Sequence, residues 1–174
     1  FYAIQTLRQL IKKDGKNLQC PYVEITDSPA FGWRGFLLDE ARNFQGKNEV
    51  KKLLDEMALL KMNVFHWHLT DDQGWRIEIK EYPLLTEIGG RRDSTQLNWY
   101  ESTVYDGKPV SGYYSQKDIR EIIAYAADRH IKIIPEIEFP GHASAAIAAY
   151  PWLSCSKKQI SVPCGYGVLT TAFN

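Results

Sequence analysis

Two short segments of the sequence concentrate side chains that can hold or transfer protons. Residues 66–76 (HWHLTDDQGWR) contain two histidines and two adjacent carboxylates, the first of which is Asp71. Residues 135–142 (PEIEFPGH) contain two carboxylates, the second of which is Glu138, and end at His142. Carboxylates and a histidine that meet at one place can fix a histidine tautomer and tune proton affinity. Histidines hydrogen-bonded in a core, or structural ion pairs, would give the same pattern, so spacing alone leaves both interpretations open.

The segments around these residues alternate between strands and helices. Apolar runs at residues 35–39, 63–69 and 131–137 are typical of strands buried on both faces. Helical spacing of apolar residues predicts one helix at 48–61 and another after a capping box that opens at Ser115. Strands separated by helices form a parallel sheet with helical cover. Both polar segments then lie at or just beyond the carboxyl end of a strand.

Two α/β architectures fit this order of elements. No glycine-rich phosphate loop of the form GxGxxG or GxxxxGK follows a strand, which disfavours a doubly wound nucleotide-binding sheet. A (β/α)8 TIM barrel has its chemistry at the carboxyl ends of its strands and needs about 250 residues. The 174 residues would therefore hold only the first three or so β/α units. We also expect a helix at 3–13, a short strand at 22–25 and a hairpin strand within 75–80.

Composition narrows the choice of partner. Lys plus Arg and Asp plus Glu each total 21, so no net charge favours a nucleic acid or an anionic membrane surface. The sequence has no apolar run of the roughly 20 residues that a membrane span needs. The cysteine count of 3 is odd, and the sequence is as compatible with a disulfide between Cys155 and Cys164 as with free thiols.

Several stretches of the sequence, in this order along the chain, resemble family 20 glycoside hydrolases, the β-N-acetylhexosaminidases. Residues 1–10 resemble the last helix of the small α/β domain that precedes the barrel of these enzymes. Residues 33–39 (WRGFLLD) look like their first barrel strand, and residues 61–72 (KMNVFHWHLTDD) are similar to the second. Residues 113–116 (YYSQ) together with 135–142 match the third strand and its approach. The resemblance covers nearly the whole chain.

The resemblance implies that the chain has two parts. Residues 1–26 would be the carboxyl-terminal end of the small α/β domain, and residues 27–174 would be the amino-terminal part of the catalytic barrel. The first helix begins with no capping residue before it, so we expect an upstream segment. The chain is accordingly expected to be a piece of a longer enzyme.

The resemblance also implies an activity and roles for four residues. Such enzymes remove terminal N-acetylglucosamine or N-acetylgalactosamine from β-linked glycans with retention, and the 2-acetamido oxygen of the substrate is the nucleophile. No metal or cofactor is implied. Asp71 and His142 would form a proton network behind the catalytic acid, supported by Glu138, and Arg34 would bind the sugar hydroxyls at carbons 3 and 4. Because glycan-degrading enzymes are commonly exported, we expect a periplasmic, cell-envelope or secreted protein.

The sequence departs from the family pattern in two places. The family usually has aspartate where Glu138 stands, and glutamate reaches about one methylene further. The family's adjacent aspartate and glutamate, which hold the acetamido group and protonate the leaving oxygen after the fourth strand, have no counterpart. The Asp-Glu dipeptides of this sequence are Asp39-Glu40, where a strand ends, and Asp55-Glu56, inside a helix. The 174-residue chain by itself is therefore expected to be inactive.

Two other functions remain open from the sequence. His66, His68, Asp71 and His142 could ligate a metal, as in a metal-dependent barrel hydrolase. A non-catalytic sugar-binding module would account for the missing acid pair. Against the second alternative, three strands cannot close a barrel and would leave strand edges unprotected.

Overall fold

The computed structural model describes residues 1–99 and 101–174. Its helices and strands are, in chain order, α1 (Tyr2–Leu10), β1 (Lys12–Asp14), β2 (Asn17–Gln19), β3 (Gly35–Asp39), α2 (Lys47–Leu59), β4 (Val64–His68), β5 (Thr70–Asp71), β6 (Gly74–Trp75), α3 (Leu84–Glu87), β7 (Arg91–Arg92), β8 (Val110–Ser111), α4 (Gln116–Ala127), β9 (Lys132–Glu136) and α5 (Ser144–Ala149), before a 3-10 turn at Pro151–Leu153. The expected alternation of strand and helix is confirmed. Within these described ranges, no helix has both the length and the apolar character to cross a membrane.

Three parallel strands in the order β3-β4-β9 form the central sheet. The central strand β4 is the most buried of the three, and Phe65 and Trp67 are each 1% exposed or less. Helices α2 and α4 pack over the sheet and enclose the main core, which contains Val50, Leu54, Met57, Ala58, Phe65, Trp67, Leu69, Tyr114, Ile122, Ala126 and Ile131. The fold is therefore α/β with a parallel sheet, and the three strands do not close a barrel.

The outer strand β3 is less buried than its apolar sequence predicted. Phe36 is 42% exposed and Leu37 is 51% exposed. Within the part of the chain that the structure describes, β3 pairs only with β4 and is an edge of the sheet. Its apolar side chains therefore have no second layer to pack against, and the prediction of burial on both faces was wrong for this strand.

The N-terminal segment also differs from its sequence-based prediction. Helix α1 ends at Leu10, and residues 12–14 pair antiparallel with 17–19 across a turn in which Gly15 has a φ of 59°. The predicted strand at 22–25 is not formed, and Tyr22 is fully exposed. A strand needs a hydrogen-bonding neighbour, and the described residues provide none for this segment.

The segment after β4 folds back on itself in short hairpins. β5 pairs antiparallel with β6, and β7 pairs antiparallel with β8. The hairpin strand predicted within 75–80 is limited to Gly74–Trp75, followed by one isolated bridge from Ile77. The three cysteines are free, and the Cys155 thiol donates a hydrogen bond to Asn174 Oδ1 at 3.1 Å.

Helix α4 confirms the predicted capping box. The Asp118 amide donates to Ser115 Oγ at 3.1 Å, and the Ser115 amide donates to Asp118 Oδ2 at 3.1 Å. Ile122 and Ala126 are buried, whereas Ile123 is 50% exposed. The buried face of α4 is narrow, because the helix packs against α2 and β9 on one side only.

Removing this cap should lower stability without changing the fold. We expect Ser115→Ala to reduce the free energy of unfolding by about 1 kcal/mol, because the Asp118 amide loses its acceptor. Urea unfolding followed by circular dichroism measures the change. Ser161→Ala, at an exposed position, is the control; equal midpoints for the two variants would contradict this account of the cap.

Candidate active site

The carboxyl ends of the three parallel strands lie side by side. The register pairs Asp39 with His68 and His68 with Glu136. Strand β5 follows β4 after one residue and carries Asp71 back over this edge of the sheet. Since chemistry in parallel α/β folds is concentrated at this end of the strands, the polar side chains gathered here form the candidate site.

Asp71 is the centre of the site and is only 2% exposed. Its Oδ2 lies 2.6 Å from Arg42 Nη2 and 3.0 Å from His68 Nε2. Its Oδ1 accepts a hydrogen bond from the Asp72 amide at 2.6 Å and lies 3.2 Å from His142 Nδ1. Burial raises the pKa of Asp71, but these donors and positive charges outweigh burial and hold the pKa below its usual value. We call these five residues the Asp71 cluster.

His142 reaches the cluster from the loop after β9. Its Nδ1 lies 3.1 Å from Asp72 Oδ2, in addition to the contact with Asp71. Asp72 is itself fixed, because its Oδ1 accepts hydrogen bonds from the Ser144 amide at 3.0 Å and from Ser144 Oγ at 2.5 Å. His142 has a φ of 49°, a backbone conformation that is uncommon for residues other than glycine and often marks functional sites. Its side chain remains 38% exposed and so is open to a ligand.

Arg42 is a member of the cluster that the sequence analysis missed. Its guanidinium contacts Asp71 and also donates to Asp39 Oδ2 at 2.9 Å and to Gln73 Oε1 at 2.8 Å. The side chain is 30% exposed. A signal was present in the sequence, because Arg42 lies three residues after Asp39, where β3 ends, and functional residues of parallel α/β folds are concentrated at this end of the strands.

Arg34, which was expected to bind sugar hydroxyls, lies at the other end of the sheet. It precedes β3, so the strand, about 16 Å long, separates it from Asp39. Its Nε donates to the Lys61 carbonyl at 2.7 Å and its Nη1 to the Phe31 carbonyl at 2.7 Å. The structure therefore does not bring Arg34 to the Asp71 cluster. Its guanidinium instead donates to backbone carbonyls of two neighbouring loops.

Glu138 lies beside the cluster but reaches it through His68. Its amide donates to Thr70 Oγ1 at 2.9 Å, and its Oε1 is 4.0 Å from His68 Nδ1. Burial, followed by the hydrogen bond to Glu136, raises the pKa of Glu138. Glu138 is connected to His142 only indirectly: it approaches His68, His68 contacts Asp71, and Asp71 contacts His142. The longer side chain in place of the family's aspartate thus meets Glu136 and His68.

Two buried arginines fix the backbone that carries Arg42. Arg76, which is fully buried, donates from Nε to the Glu40 carbonyl at 3.1 Å and from Nη2 to the Ala41 carbonyl at 2.9 Å. Arg92 donates from Nη2 to the Arg42 carbonyl itself at 2.5 Å. Burial lowers the pKa of Arg76 to about 10, which still leaves the side chain charged at neutral pH. The loop is therefore rigid, as a preorganised site requires.

A comparison with protein-family models identifies the family to which the chain belongs. The model of the glycosyl hydrolase family 20 catalytic domain matches residues 31–172. The chain belongs to glycosyl hydrolase family 20. The sequence-based resemblance is thereby confirmed, whereas the domain boundary between residues 26 and 27 and the roles of individual site residues stay predictions.

Two curated relatives and a solved structure support the same assignment. The chain is 48% identical to a beta-hexosaminidase of Porphyromonas gingivalis over 97% of its own length and 50% identical to a beta-hexosaminidase of Vibrio furnissii over 87%. It superposes with a TM-score of 0.83, at 41% identity over 99% of its length, on the crystal structure of an exo beta-N-acetylglucosaminidase from Vibrio harveyi in complex with N-acetylglucosamine. The chain spans 21%, 25% and 27% of these three proteins, respectively.

Neither Asp-Glu dipeptide of this family 20 chain is placed to act as the family's catalytic aspartate–glutamate pair at the carboxyl ends of the strands. Glu40 is completely buried and accepts a hydrogen bond from the Tyr114 hydroxyl at 2.8 Å. Asp55 lies on α2, where it forms an ion pair with Arg129 at 2.5 Å. The sequence-based conclusion that these dipeptides are not the family's catalytic pair therefore agrees with their positions.

The positive charge of Arg42 disfavours the alternative of a metal-binding site. Within residues 1–99 and 101–174, two groups of three side chains bring possible ligand atoms within 4.8 Å of one another, namely His68, Asp71 and Glu138, and Asp71, Asp72 and His142. Both groups depend on Asp71, and the Arg42 guanidinium already lies 2.6 Å from its carboxylate. A divalent ion would have to approach this fixed positive charge, so the donor set fits an arginine–carboxylate cluster better than a metal centre.

Proposed function

We propose that this chain forms the opening part of the catalytic barrel of an exo-acting β-N-acetylhexosaminidase. The enzyme would release terminal N-acetylglucosamine or N-acetylgalactosamine from β-linked glycans. The observation that carries the proposal is the Asp71 cluster, in which a buried carboxylate holds Arg42 and His142 at the carboxyl ends of the strands of a family 20 chain. The names of the relatives and the N-acetylglucosamine complex of the Vibrio harveyi enzyme support the same substrate class.

The substrate supplies the nucleophile in this proposal. The 2-acetamido oxygen attacks the anomeric carbon, the glycosidic bond breaks, and the leaving oxygen takes a proton from a carboxylic acid. Water then opens the cyclic intermediate and restores the proton, so configuration is retained. Because neither Asp-Glu dipeptide of this chain suits the task, residues beyond these 174 would provide the acid.

Arg42, rather than Arg34, is proposed to bind the sugar ring. A planar guanidinium donates to two adjacent hydroxyl oxygens at once, and Arg42 presents such a fork at the mouth with 30% of its side chain exposed. Asp71 and His142 would hold the proton network next to the reacting bond. His142 is the partly exposed member of this pair and would be the one closer to the substrate.

Further β/α units are proposed to complete a (β/α)8 barrel. Both outer strands of the sheet leave apolar surface uncovered, at Phe36 on β3 and next to β9 at Ile123 of α4. Such surface in family 20 would be covered by the remaining strands and helices of the barrel. The 174-residue chain alone is accordingly expected to show no hydrolysis.

The test compares two chromogenic substrates on the complete product of the gene that encodes this chain. We expect 4-nitrophenyl N-acetyl-β-glucosaminide to be hydrolysed at least about 100-fold faster than 4-nitrophenyl β-glucoside, because the glucoside lacks the attacking acetamido oxygen. Proton NMR of the first product should show the β anomer. Equal rates, or the α anomer first, would refute the substrate-assisted mechanism.

A non-catalytic sugar-binding module is the second candidate, favoured by the absence of a suitable acid pair from the chain. It predicts binding of N-acetylglucosamine with no turnover by the complete gene product. The metal-dependent alternative predicts loss of hydrolysis on treatment with EDTA, whereas the proposed mechanism predicts an unchanged rate.

A further inference from the structure

His68 holds both of its ring nitrogens against carboxylates. Nε2 lies 3.0 Å from Asp71 Oδ2, and Nδ1 lies 2.8 Å from Glu136 Oε2. The residue is 5% exposed, so water cannot replace either partner freely. His68 therefore links the last residue of β9 to the centre of the Asp71 cluster.

This arrangement determines the protonation state of the ring. A neutral imidazole has one N–H donor and one acceptor nitrogen, so an acceptor nitrogen would face one of the two carboxylates. Burial by itself lowers the pKa of His68, but the hydrogen bond to Asp71 and the nearby charge of the Glu136 carboxylate overcome burial and raise the pKa to about 9. The pKa values of Asp71 and Glu136 are both lowered, so both partners are ionised at neutral pH.

We propose that His68 is a positioning residue that stays doubly protonated through the working pH range and, as a buried cation, joins Glu136 to Asp71. It does not touch the substrate. It acts through Asp71, whose Oδ2 it holds in place together with Arg42 while Oδ1 meets His142. The catalytic consequence of this role rests on the proposed function; the protonation state does not.

Most of the charged groups that the neighbouring elements place around His68 favour its protonated, cationic form. The end of β3 and its following loop contribute Asp39 and Arg42, the β5 hairpin contributes Asp71, and β9 with its following loop contributes Glu136 and Glu138. Four of these five groups are carboxyls. Arg42 is the one opposing charge, with Nη1 3.3 Å from His68 Nε2, and its other contacts neutralise it against Asp39 and Asp71.

His66 provides a matched control on the same strand. It faces the same carboxylate, with Nε2 2.6 Å from Glu136 Oε2, and lies two residues before His68. Among the described residues, His66 forms its ion-pair contact with Glu136 and not with Asp71. If a loss of activity reflects only a change around Glu136, replacing either histidine should cause it. If the loss arises through Asp71, only the replacement of His68 should cause it.

The first measurement is histidine NMR on the complete gene product, labelled with ¹³C and ¹⁵N in histidine. His68→Gln identifies the His68 signal by its disappearance. We expect both ring nitrogens to have protonated chemical shifts at pH 7.5 and to titrate near pH 9. An unprotonated ring nitrogen at pH 7.5 would overturn the proposal. In Glu136→Gln the midpoint should fall by about one pH unit or more, and an unchanged midpoint would also count against it.

The second measurement is kinetic. His68→Gln should lower kcat about 10- to 100-fold with KM changed less than about threefold, because the sugar contacts remain while the Asp71 geometry relaxes. His66→Gln should stay within about threefold of wild type. Equal losses in the two variants would refute a role through Asp71.

If the wild type shows no hydrolysis, the proposed function fails, and the NMR result alone decides the state of His68. If His68→Gln does not fold, the signal that both Glu136→Gln and Asp71→Asn shift identifies His68, because His68 contacts both carboxylates, and its wild-type titration decides the state.

Discussion

Changing Asp71 to asparagine is expected to lower kcat/KM for an N-acetyl-β-glucosaminide on the order of 100-fold in the complete gene product. Asparagine has nearly the same shape but no charge, and its amide nitrogen cannot accept the hydrogen bonds that Asp71 receives. His68 would then face a neutral group from a buried position, and Arg42 would face it from a partly exposed one. Removing one partner of such a buried charge cluster also costs about 3–5 kcal/mol of stability.

Asp93→Asn is the control for the loss of a carboxylate charge. Asp93 is exposed, and its ion pair with Arg91 is long, at 3.9 Å. We expect activity and unfolding midpoint to match the wild type. Steady-state kinetics and thermal unfolding on the three proteins measure both quantities. An Asp71→Asn enzyme with activity within threefold of wild type would show that the cluster has no catalytic part.

Changing Arg42 to lysine is expected to raise KM and lower kcat, with a combined loss of about 100-fold in kcat/KM. Lysine keeps the positive charge beside Asp71, but its single ammonium nitrogen lacks the planar fork that donates to two adjacent oxygens in parallel. The contacts to Asp39 and Gln73 would also be lost or weakened. The fold-loss of kcat/KM for the N-acetylhexosaminide should exceed the fold-loss of affinity for a ligand without paired hydroxyls. Only the sugar would use the two parallel donors of Arg42.

Arg34→Lys is the matched control, because it makes the same substitution just before β3, whereas Arg42 lies just after this strand. Arg34 donates to two backbone carbonyls away from the mouth, so its replacement should reduce stability somewhat and leave KM within about threefold of wild type. A large rise of KM in Arg34→Lys with an unchanged Arg42→Lys would restore the sequence-based assignment of the sugar contact to Arg34.

The central strands could be predicted from sequence because their signal is local. The apolar run at Gly35–Asp39 has the bounds that the structure gives, and the capping box at Ser115 begins α4 as expected. The strand expected at 22–25 failed because a strand depends on a neighbour that the sequence pattern does not reveal. The exposure of β3 has the same cause, since burial is a property of the assembled sheet.

The candidate site was predicted in part, for similar reasons. Asp71 and His142 were identifiable because they lie three and six residues after the ends of two parallel strands, β4 and β9, and the parallel register then brings them within 3.2 Å. Arg42 was missed because it lies in the loop after β3 and contacts Asp71 across 29 residues of sequence, a distance that no local pattern spans. Arg34 was assigned by resemblance alone, although its position at the start of a strand argued against the mouth.

The most direct test of the account is the rate at which the complete gene product releases 4-nitrophenol from 4-nitrophenyl N-acetyl-β-glucosaminide. We predict steady turnover that Asp71→Asn reduces on the order of 100-fold and EDTA leaves unchanged. A folded wild-type protein that binds N-acetylglucosamine and releases no 4-nitrophenol would contradict the account and identify a sugar-binding module.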